Sequence, residues 1–367
     1  MPESVLVVVT QRIGDVFLTG ALVRSLRGAW PDARIDMLVF AGTEGIVATH
    51  PDVTSVLTVP VKASFWDNIK FGRQLWKRYD LALSTSPGDR STLYAILAGR
   101  RSIGAIGHGA KHTWKSMLLS DTVPFDNLSM HTVVQNLSLA GAVGVPRAYE
   151  LPVTWHEQDE HLLTAHFPGF KSVRYAVLHP FPKFRYKMWS THGWRETAQW
   201  LLERDITVVL SGGPDTEERT YVGNLLPESG HRIVNLTGKL NFTQLAALLS
   251  RAVVYVGPDT VTTHLAAAVG VPTVALFGPS NPIKWGPWPK GCDLDPSPFR
   301  SRGDQWVGNV ALVQGRGACV PCRLEGCARH AGSESACLQM LPAATVVDTV
   351  AHMLGLPDRL ASPFPKP

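Results

Sequence analysis

Three stretches of this chain put charged or hydroxylated side chains where an apolar, strand-like run gives way to a helix-like one. TQRIGDVFLTG, residues 10–20, directly follows the apolar run Val5–Val9. In open α/β sheets ligands gather at the carboxyl ends of strands, so a carboxylate there is placed for chemistry. Asp15 reads either as a cap of the next helix or as a carboxylate that does chemistry. Gly14 stands alone, without G-x-G-x-x-G, so the phosphate fingerprint of a nicotinamide-dependent oxidoreductase is missing. In VGPDTVTTHLAAAVGVPTVALFGPSNPIKWGPW, residues 256–288, Asp259 and Thr260 fall where a strand ends and a helix begins. The free amides and the dipole of such a helix start suit a diphosphate. His264 lies one turn beyond Thr260 on the same face; it either adds a donor there or sits buried in a capped helix. PKFRYKMW, residues 182–189, sets Lys183, Arg185 and Lys187 at alternating positions after another strand, as an anion-binding loop or as a solvated basic one.

A fourth cluster is sulfur-based. Cys319, Cys322, Cys327 and Cys337 follow C-x2-C-x4-C-x9-C within CVPCRLEGCARHAGSESAC. Four cysteines at such spacing could bind structural zinc, but the pattern is neither a standard ribbon nor a finger. Thiols packed in a tight loop are the favoured reading, and Cys292 lies outside the cluster.

The elements that must position these groups alternate regularly. Val5–Val9, Arg34–Phe40, Val56–Val59, Leu81–Ser84 and Ser102–Ile106 read as buried strands, with helical periodicity over Leu18–Ala29, Phe65–Tyr79 and Thr92–Ala98. Trp30-Pro31-Asp32 and His50-Pro51-Asp52 punctuate the units as turns. Around Pro146–Phe170 the rhythm breaks at Pro146, Pro152 and Pro168, which predicts a linker and a short helix. It then resumes with strands at Tyr175–His179, Ile206–Leu210, Arg232–Leu236, Val253–Val256 and Thr273–Phe277. Helices are expected at Gly193–Glu203, Thr216–Leu226, Phe242–Ser250, Thr260–Val269 and Ala343–Leu354, the last after a Pro/Gly/Trp-rich loop and the cysteine segment. Strands alternating with helices imply βαβ units and parallel sheets, so two Rossmann-like domains are expected, with the site in the cleft between them. The expected boundaries are 1–165 for the first domain, 166–342 for the second and 343–367 for a terminal helix and tail.

Length and composition agree with that plan. A chain of 367 residues is long enough for two cores, and 45% hydrophobic with 18% charged residues is ordinary for a soluble globular protein. No run approaches the length needed to span a bilayer, and Val5–Val9 starts without a basic leader or cleavage site, so a cytoplasmic location is expected. The formal charge of +5 leans toward anionic ligands or an acidic membrane surface. Zinc-finger spacing, RNP-like aromatics and long Lys/Arg blocks are missing, which argues against nucleic acid.

Two motifs then point to a family. D-[ST]-x-x-x-H-L-A-A-A followed by P-T-V-A-L-F-G-P-[ST]-x-P resembles glycosyltransferase family 9, the heptosyltransferases of lipopolysaccharide core synthesis. RIGDVFLTGALVRSLRGAWP (12–31), FRYKMWSTHGW (184–194) and LSGGPDTEER (210–219) extend the resemblance over nearly the whole chain, and look most like the heptosyltransferase III branch. It implies an α/β protein of GT-B fold, two Rossmann-like domains with parallel sheets facing a central cleft. It implies an inverting transferase that moves heptose from ADP-L-glycero-D-manno-heptose to the inner core of lipopolysaccharide and needs no cofactor. Asp15 would be the general base and Gly14 would let the sugar approach the backbone; Arg12 reads either as a group that positions acceptor anions or as a surface arginine. On the donor side Lys187 would face the departing phosphates, together with Asp259, Thr260 and His264. Leu240 would pack against adenine and Gly212 would belong to the donor site, while Glu217 is a weaker candidate for the ribose because the family acid can fall one residue earlier, at Thr216. Val261 departs from the pattern: many members carry Gly there, and a β-branched residue does not readily take positive φ. An anionic acceptor in the inner leaflet, with a basic protein, implies peripheral membrane contact. Other readings to be weighed are a GT-B transferase for another nucleotide sugar, and a binding protein of this fold without catalysis, against which Asp15 speaks.

Overall fold

The computed structural model describes residues 1–356 except Ala63, His108, Ala110, Lys111 and 227–231; the expected tail at 357–367 lies outside the described residues. The chain forms two compact units, Met1–Val153 with Gly291–Ser297, and Thr154–Lys290 with Pro298 onward.

The first unit is built on β1 (Ser4–Val9), β2 (Arg34–Phe40), β3 (Ser55–Val59), β4 (Tyr79–Ser84), β5 (Gly99–Ile106) and β6 (Asp121–Pro124), all parallel in the order β3-β2-β1-β4-β5-β6. Val5–Val9 are fully buried, as a central strand covered on both faces must be. The helices are α1 (Ile13–Leu18), α2 (Gly20–Ala29), α3 (Phe65–Leu75), α4 (Asp89–Ala98), α5 (Thr113–Leu118) and α6 (Thr132–Ala142). The helix expected from Leu18 starts five residues earlier, at Ile13, and turns at Thr19 into α2. Neither β6 nor α6 was legible as a period: β6 is a four-residue edge strand, and α6 buries Gln135 and Asn136 beside its apolar side chains. The 291–297 segment joins this unit through Arg147–Asp295 at 2.7 Å and through His131 N–H donating to Pro296 O at 2.9 Å.

The second unit carries α7 (Glu157–His166), β7 (Tyr175–Leu178), α8 (Thr191–Leu202), β8 (Thr207–Leu210), α9 (Thr216–Leu225), β9 (Ile233–Asn235), α10 (Phe242–Arg251), β10 (Val254–Pro258), α11 (Val261–Val269), β11 (Thr273–Phe277), α12 (Pro282–Trp285), β12 (Gln305–Val307), β13 (Val310–Gln314), α13 (Ala336–Gln339) and α14 (Ala343–Met353). Its strands lie in the order β12-β13-β11-β10-β7-β8-β9, parallel except for β12. The β12–β13 hairpin occupies part of a region read as irregular; its arms are three and five residues long around Gly308 at φ 55°. Helix α7, placed by sequence before the boundary at 165, packs on α10 in this unit, where Thr243 Oγ1 donates to Asp159 Oδ1 at 2.7 Å. The core gathers Trp189, Trp194 and Trp200 around β7, β8 and α14. Among the described residues no helix is long and apolar enough to cross a membrane.

Candidate active site

In the second unit the sheet order reverses between β7 and β10, and the crevice at their carboxyl ends is the place where doubly wound sheets bind ligands. Both expected groups arrive there. The loop after β7 carries Lys187, the turn after β10 carries Asp259, and Nζ of Lys187 donates to Asp259 Oδ2 at 2.5 Å and to its backbone oxygen at 3.2 Å. Ser280 Oγ donates to the same Oδ2 at 2.6 Å. Burial opposes charge on Asp259, yet Lys187, with the hydrogen bonds from Lys187 and Ser280, holds the carboxyl below its ordinary pKa. The pair is nearly dry, with side-chain exposures of 16% and 8%. Asp259 is therefore occupied within the protein, and the Lys187 ammonium has one N–H beyond those two bonds.

The Lys187 loop is held from below by the cysteine segment. Ser335 Oγ donates to Tyr186 O at 2.6 Å, Gln339 donates to Met188 O at 3.1 Å, and Trp189 donates to Leu341 O at 2.9 Å. Cys337 is buried against Gly278, and burial beside the other cysteines pushes its thiol up to about 11. Cys319 and Cys327 are exposed and Cys322 is half-buried; among the described residues no three His, Cys, Asp or Glu side chains are gathered to hold a metal ion. The segment serves as a brace.

Helix α11 begins at the same crevice. Thr260 is its N-cap in extended conformation, but no side chain caps the first turn; the Thr260 hydroxyl lies 3.3 Å from that of Thr263. The opening amides of the helix thus face the crevice with its partial positive charge. Val261 occupies the first helical position without positive φ, so the missing glycine costs no backbone strain. His264 is buried, its Nε2 4.0 Å from Asp259 Oδ1, and Nδ1 has no hydrogen-bond partner among the described residues. Burial lowers its pKa to about 4, so it stands neutral at physiological pH. His179, at the end of β7, escaped the sequence reading; it is buried, contacts Ser211 Oγ at 3.1 Å and is lowered to about 4 for the same reason.

Next to this crevice, at the ends of β8 and β9, a cavity of about 380 Å³ is lined by Thr216, Arg219, Thr220, Asn235, Thr237 and Lys239. Thr237 Oγ1 is buried and unpartnered at its wall. Gly212 lies at the base of the same loop, where a Cβ would come within 2.6 Å of Glu218 Oε1 and 2.8 Å of Thr237 Cγ2. Glu217 points elsewhere, into an exposed ion pair with Arg185 at 2.6 Å, and the cavity is lined instead by Thr216, one residue earlier. Leu240 is half-buried directly after the lining residue Lys239. Lys183 is exposed.

In the first unit Asp15 is the third residue of α1 and 8% exposed, at the carboxyl end of the central strand β1. It does not cap the helix: Arg12, itself exposed, holds the N-cap position without capping the first turn through its side chain, and Gly14 is half-buried in helical conformation. Thr19 Oγ1 donates to Asp15 O at 2.8 Å, and Asn136 Nδ2 of α6 donates to Thr19 Oγ1 at 3.2 Å. Asn136 thus fixes the backbone that carries Asp15.

The profile of glycosyltransferase family 9 (heptosyltransferase) matches residues 68–292. Lipopolysaccharide heptosyltransferase 3 of Escherichia coli K12 is 29% identical over 286 residues, 75% of this chain and 82% of that protein. Lipopolysaccharide heptosyltransferase 1 of Pseudomonas aeruginosa PAO1 is 29% identical over 294 residues, covering 76% and 79%. Among solved structures, E. coli ADP-heptose lps heptosyltransferase II aligns with a TM-score of 0.73 at 22% identity over 96% of this chain and 98% of that one. The E. coli heptosyltransferase WaaC with ADP aligns at 0.67 and 23% identity, over 86% and 94%. These likenesses agree with the GT-B fold expected from sequence, and with the profile match over more than half of the chain, this protein belongs to glycosyltransferase family 9 and is a glycosyltransferase.

Proposed function

We propose that the protein transfers heptose from ADP-L-glycero-D-manno-heptose to a hydroxyl of the lipopolysaccharide inner core, with inversion. The observation that carries this reading is the Lys187–Asp259 pair at the switch point beside the uncapped start of α11, in a chain of this family. The diphosphate takes the remaining N–H of Lys187 and the first amides of α11. The nucleoside extends toward Thr216, Thr237 and Leu240, where the cavity is large enough for it. In this reading the second unit takes the donor and the first unit the acceptor.

Asp15 accepts the proton of the acceptor hydroxyl as that oxygen attacks the anomeric carbon. The bond from that carbon to the diphosphate oxygen breaks, and its electron pair leaves with ADP. The sugar passes through an oxocarbenium-like state, and charge gathers on the leaving phosphate, which Lys187 and the α11 dipole stabilise. No step uses a metal ion. The acceptor places the reaction in the cytoplasm at the inner leaflet, so the protein meets a membrane surface without spanning it. A panel of ADP-, UDP- and GDP-sugars read by thermal shift, followed by turnover on heptose-truncated core acceptors, tests the reading. Stabilisation by ADP-heptose with transfer to such an acceptor is expected; tighter binding of a UDP-sugar would sink it.

A further inference from the structure

Helix α3 joins the edge strand β3 to β4, and its two faces differ sharply. Its inner face is held by Leu75 in the core, by the edge-to-face contact of Phe71 with Tyr94 at 5.5 Å, and by Tyr94 OH donating to Asn68 Oδ1 at 2.9 Å. Its outer face carries Trp66, 75% exposed, with Lys70 and Arg73 also exposed. At 3.6 residues per turn these three fall within about 60° of the helix circumference. Lys62 stands exposed just before the helix, and Trp76, 63% exposed, just after it. The indoles are about 15 Å apart along the axis at 1.5 Å per residue. Asp67 is the one carboxylate of α3, and it is engaged at the N-terminus, accepting from Ser64 Oγ at 2.7 Å in a capping box. Among the described residues Lys62, Lys70 and Arg73 have no carboxylate partner within ion-pairing distance.

We propose that this outer face of α3 docks the protein on an anionic lipid bilayer, with Trp66 and Trp76 at the headgroup level and Lys62, Lys70 and Arg73 against acidic phosphates. Exposed indoles flanking a run of unpaired cations match the composition of surfaces that lie on membranes, where amphipathic rings settle at the interface and basic side chains meet acidic headgroups. The placement serves the chemistry. The start of α3 follows the carboxyl end of β3, on the same rim of the parallel sheet as Asp15 at the end of β1, so a bilayer at Trp66 presents its lipid-linked saccharide to that rim. The proposal rests on the reading that the acceptor is lipid-linked.

Sedimentation of the full chain with vesicles of phosphatidylethanolamine and phosphatidylglycerol, against vesicles of phosphatidylcholine alone, tests it. Binding to the anionic vesicles, weakened by salt, is expected. Each cation lost should lower the partition coefficient about five-fold, so Lys70→Glu with Arg73→Glu should lower it at least about 25-fold. A blue shift of indole fluorescence is expected on binding, and Trp66→Ser with Trp76→Ser should abolish it. Thermal stabilisation by ADP, unchanged in all variants, confirms that they are folded. Equal binding to neutral vesicles, or variants that sediment like the parent protein, would overturn the proposal and leave this face to a protein partner. Vesicle binding without any ADP binding would instead overturn the transferase reading, so the two failures are distinct.

Discussion

Replacing Lys187 by Ala tests the centre of the donor site because it removes two functions at once. The ammonium balances the buried Asp259 at 2.5 Å, and it holds one N–H for the donor diphosphate. Breaking a buried pair by deleting one partner costs about 3–5 kcal/mol; Lys187 is 16% exposed, so the lower end, about 3 kcal/mol, applies. For a unit of this size that lowers Tm by about 6–12 °C. The loss depends on pH, with a definite sign. In the parent protein Asp259 is held below its ordinary pKa, so its pair contributes stability above the unfolded carboxyl value and loses it as pH falls through the lower folded value. Without Lys187 burial dominates, the carboxyl pKa rises, and the variant escapes its buried charge by taking up a proton. The gap in Tm between the two proteins should therefore be widest near neutrality and should narrow toward about pH 4. Lys187→Met combined with Asp259→Asn should recover part of the stability but none of the donor affinity. A hydrogen bond to a charged group is worth about 1.5–3 kcal/mol, so the Kd for ADP should rise about 10- to 150-fold. Differential scanning calorimetry from pH 4 to pH 8 and titration calorimetry with ADP read both effects. A Tm gap that stays constant with pH, or an ADP affinity unmoved by the substitution, would refute the reasoning.

Asp15→Asn should lower kcat by about 10²–10⁴-fold while leaving the Kd for ADP near the parent value; parallel loss of both would make Asp15 structural. His179 and His264 are both lowered to about 4, so each contributes about 3 kcal/mol above pH 6.5 that is lost as pH falls toward 4, and His264→Gln should flatten the acid limb of a Tm-against-pH curve. An acid limb unchanged in that variant would show that the histidine is not buried neutral. Transfer activity should survive exhaustive EDTA treatment, because Lys187 and the α11 amides supply the positive field at the leaving group; full loss restored by Mg²⁺ would overturn the scheme.

Much of this site could be read along the chain because its parts obey local rules. A short apolar run such as Val5–Val9, bounded by polar residues and rich in valine, reads as a buried parallel strand, which puts Asp15 at a carboxyl end, as found at β1. Asp259-Thr260 likewise announced a strand end and a helix start, as found at β10 and α11. Short or mixed elements left no such signal: β6 has four residues with polar neighbours, and α6 buries two amides, Gln135 and Asn136, among its apolar side chains. What the sequence could not contain was which separate loops meet. Lys187 and Asp259 are 72 residues apart and become an ion pair only because β7 and β10 are neighbours in the sheet. Between Glu217, the weaker ribose candidate, and Thr216 one residue earlier the sequence could not choose; the turn that starts α9 pairs Glu217 with Arg185 and leaves Thr216 at the cavity. The spacing of the cysteine run left a zinc set or, as the favoured reading, thiols packed in a tight loop, whereas its place beside the Lys187 loop depends on Ser335 and Gln339 reaching backbone about 150 residues earlier. Local sequence sets the phase of each strand and the first turn of each helix, since those depend on neighbours within a few residues. The partners of a buried charge are chosen by strand order, a property of the assembled sheet, and only the tertiary structure decides it.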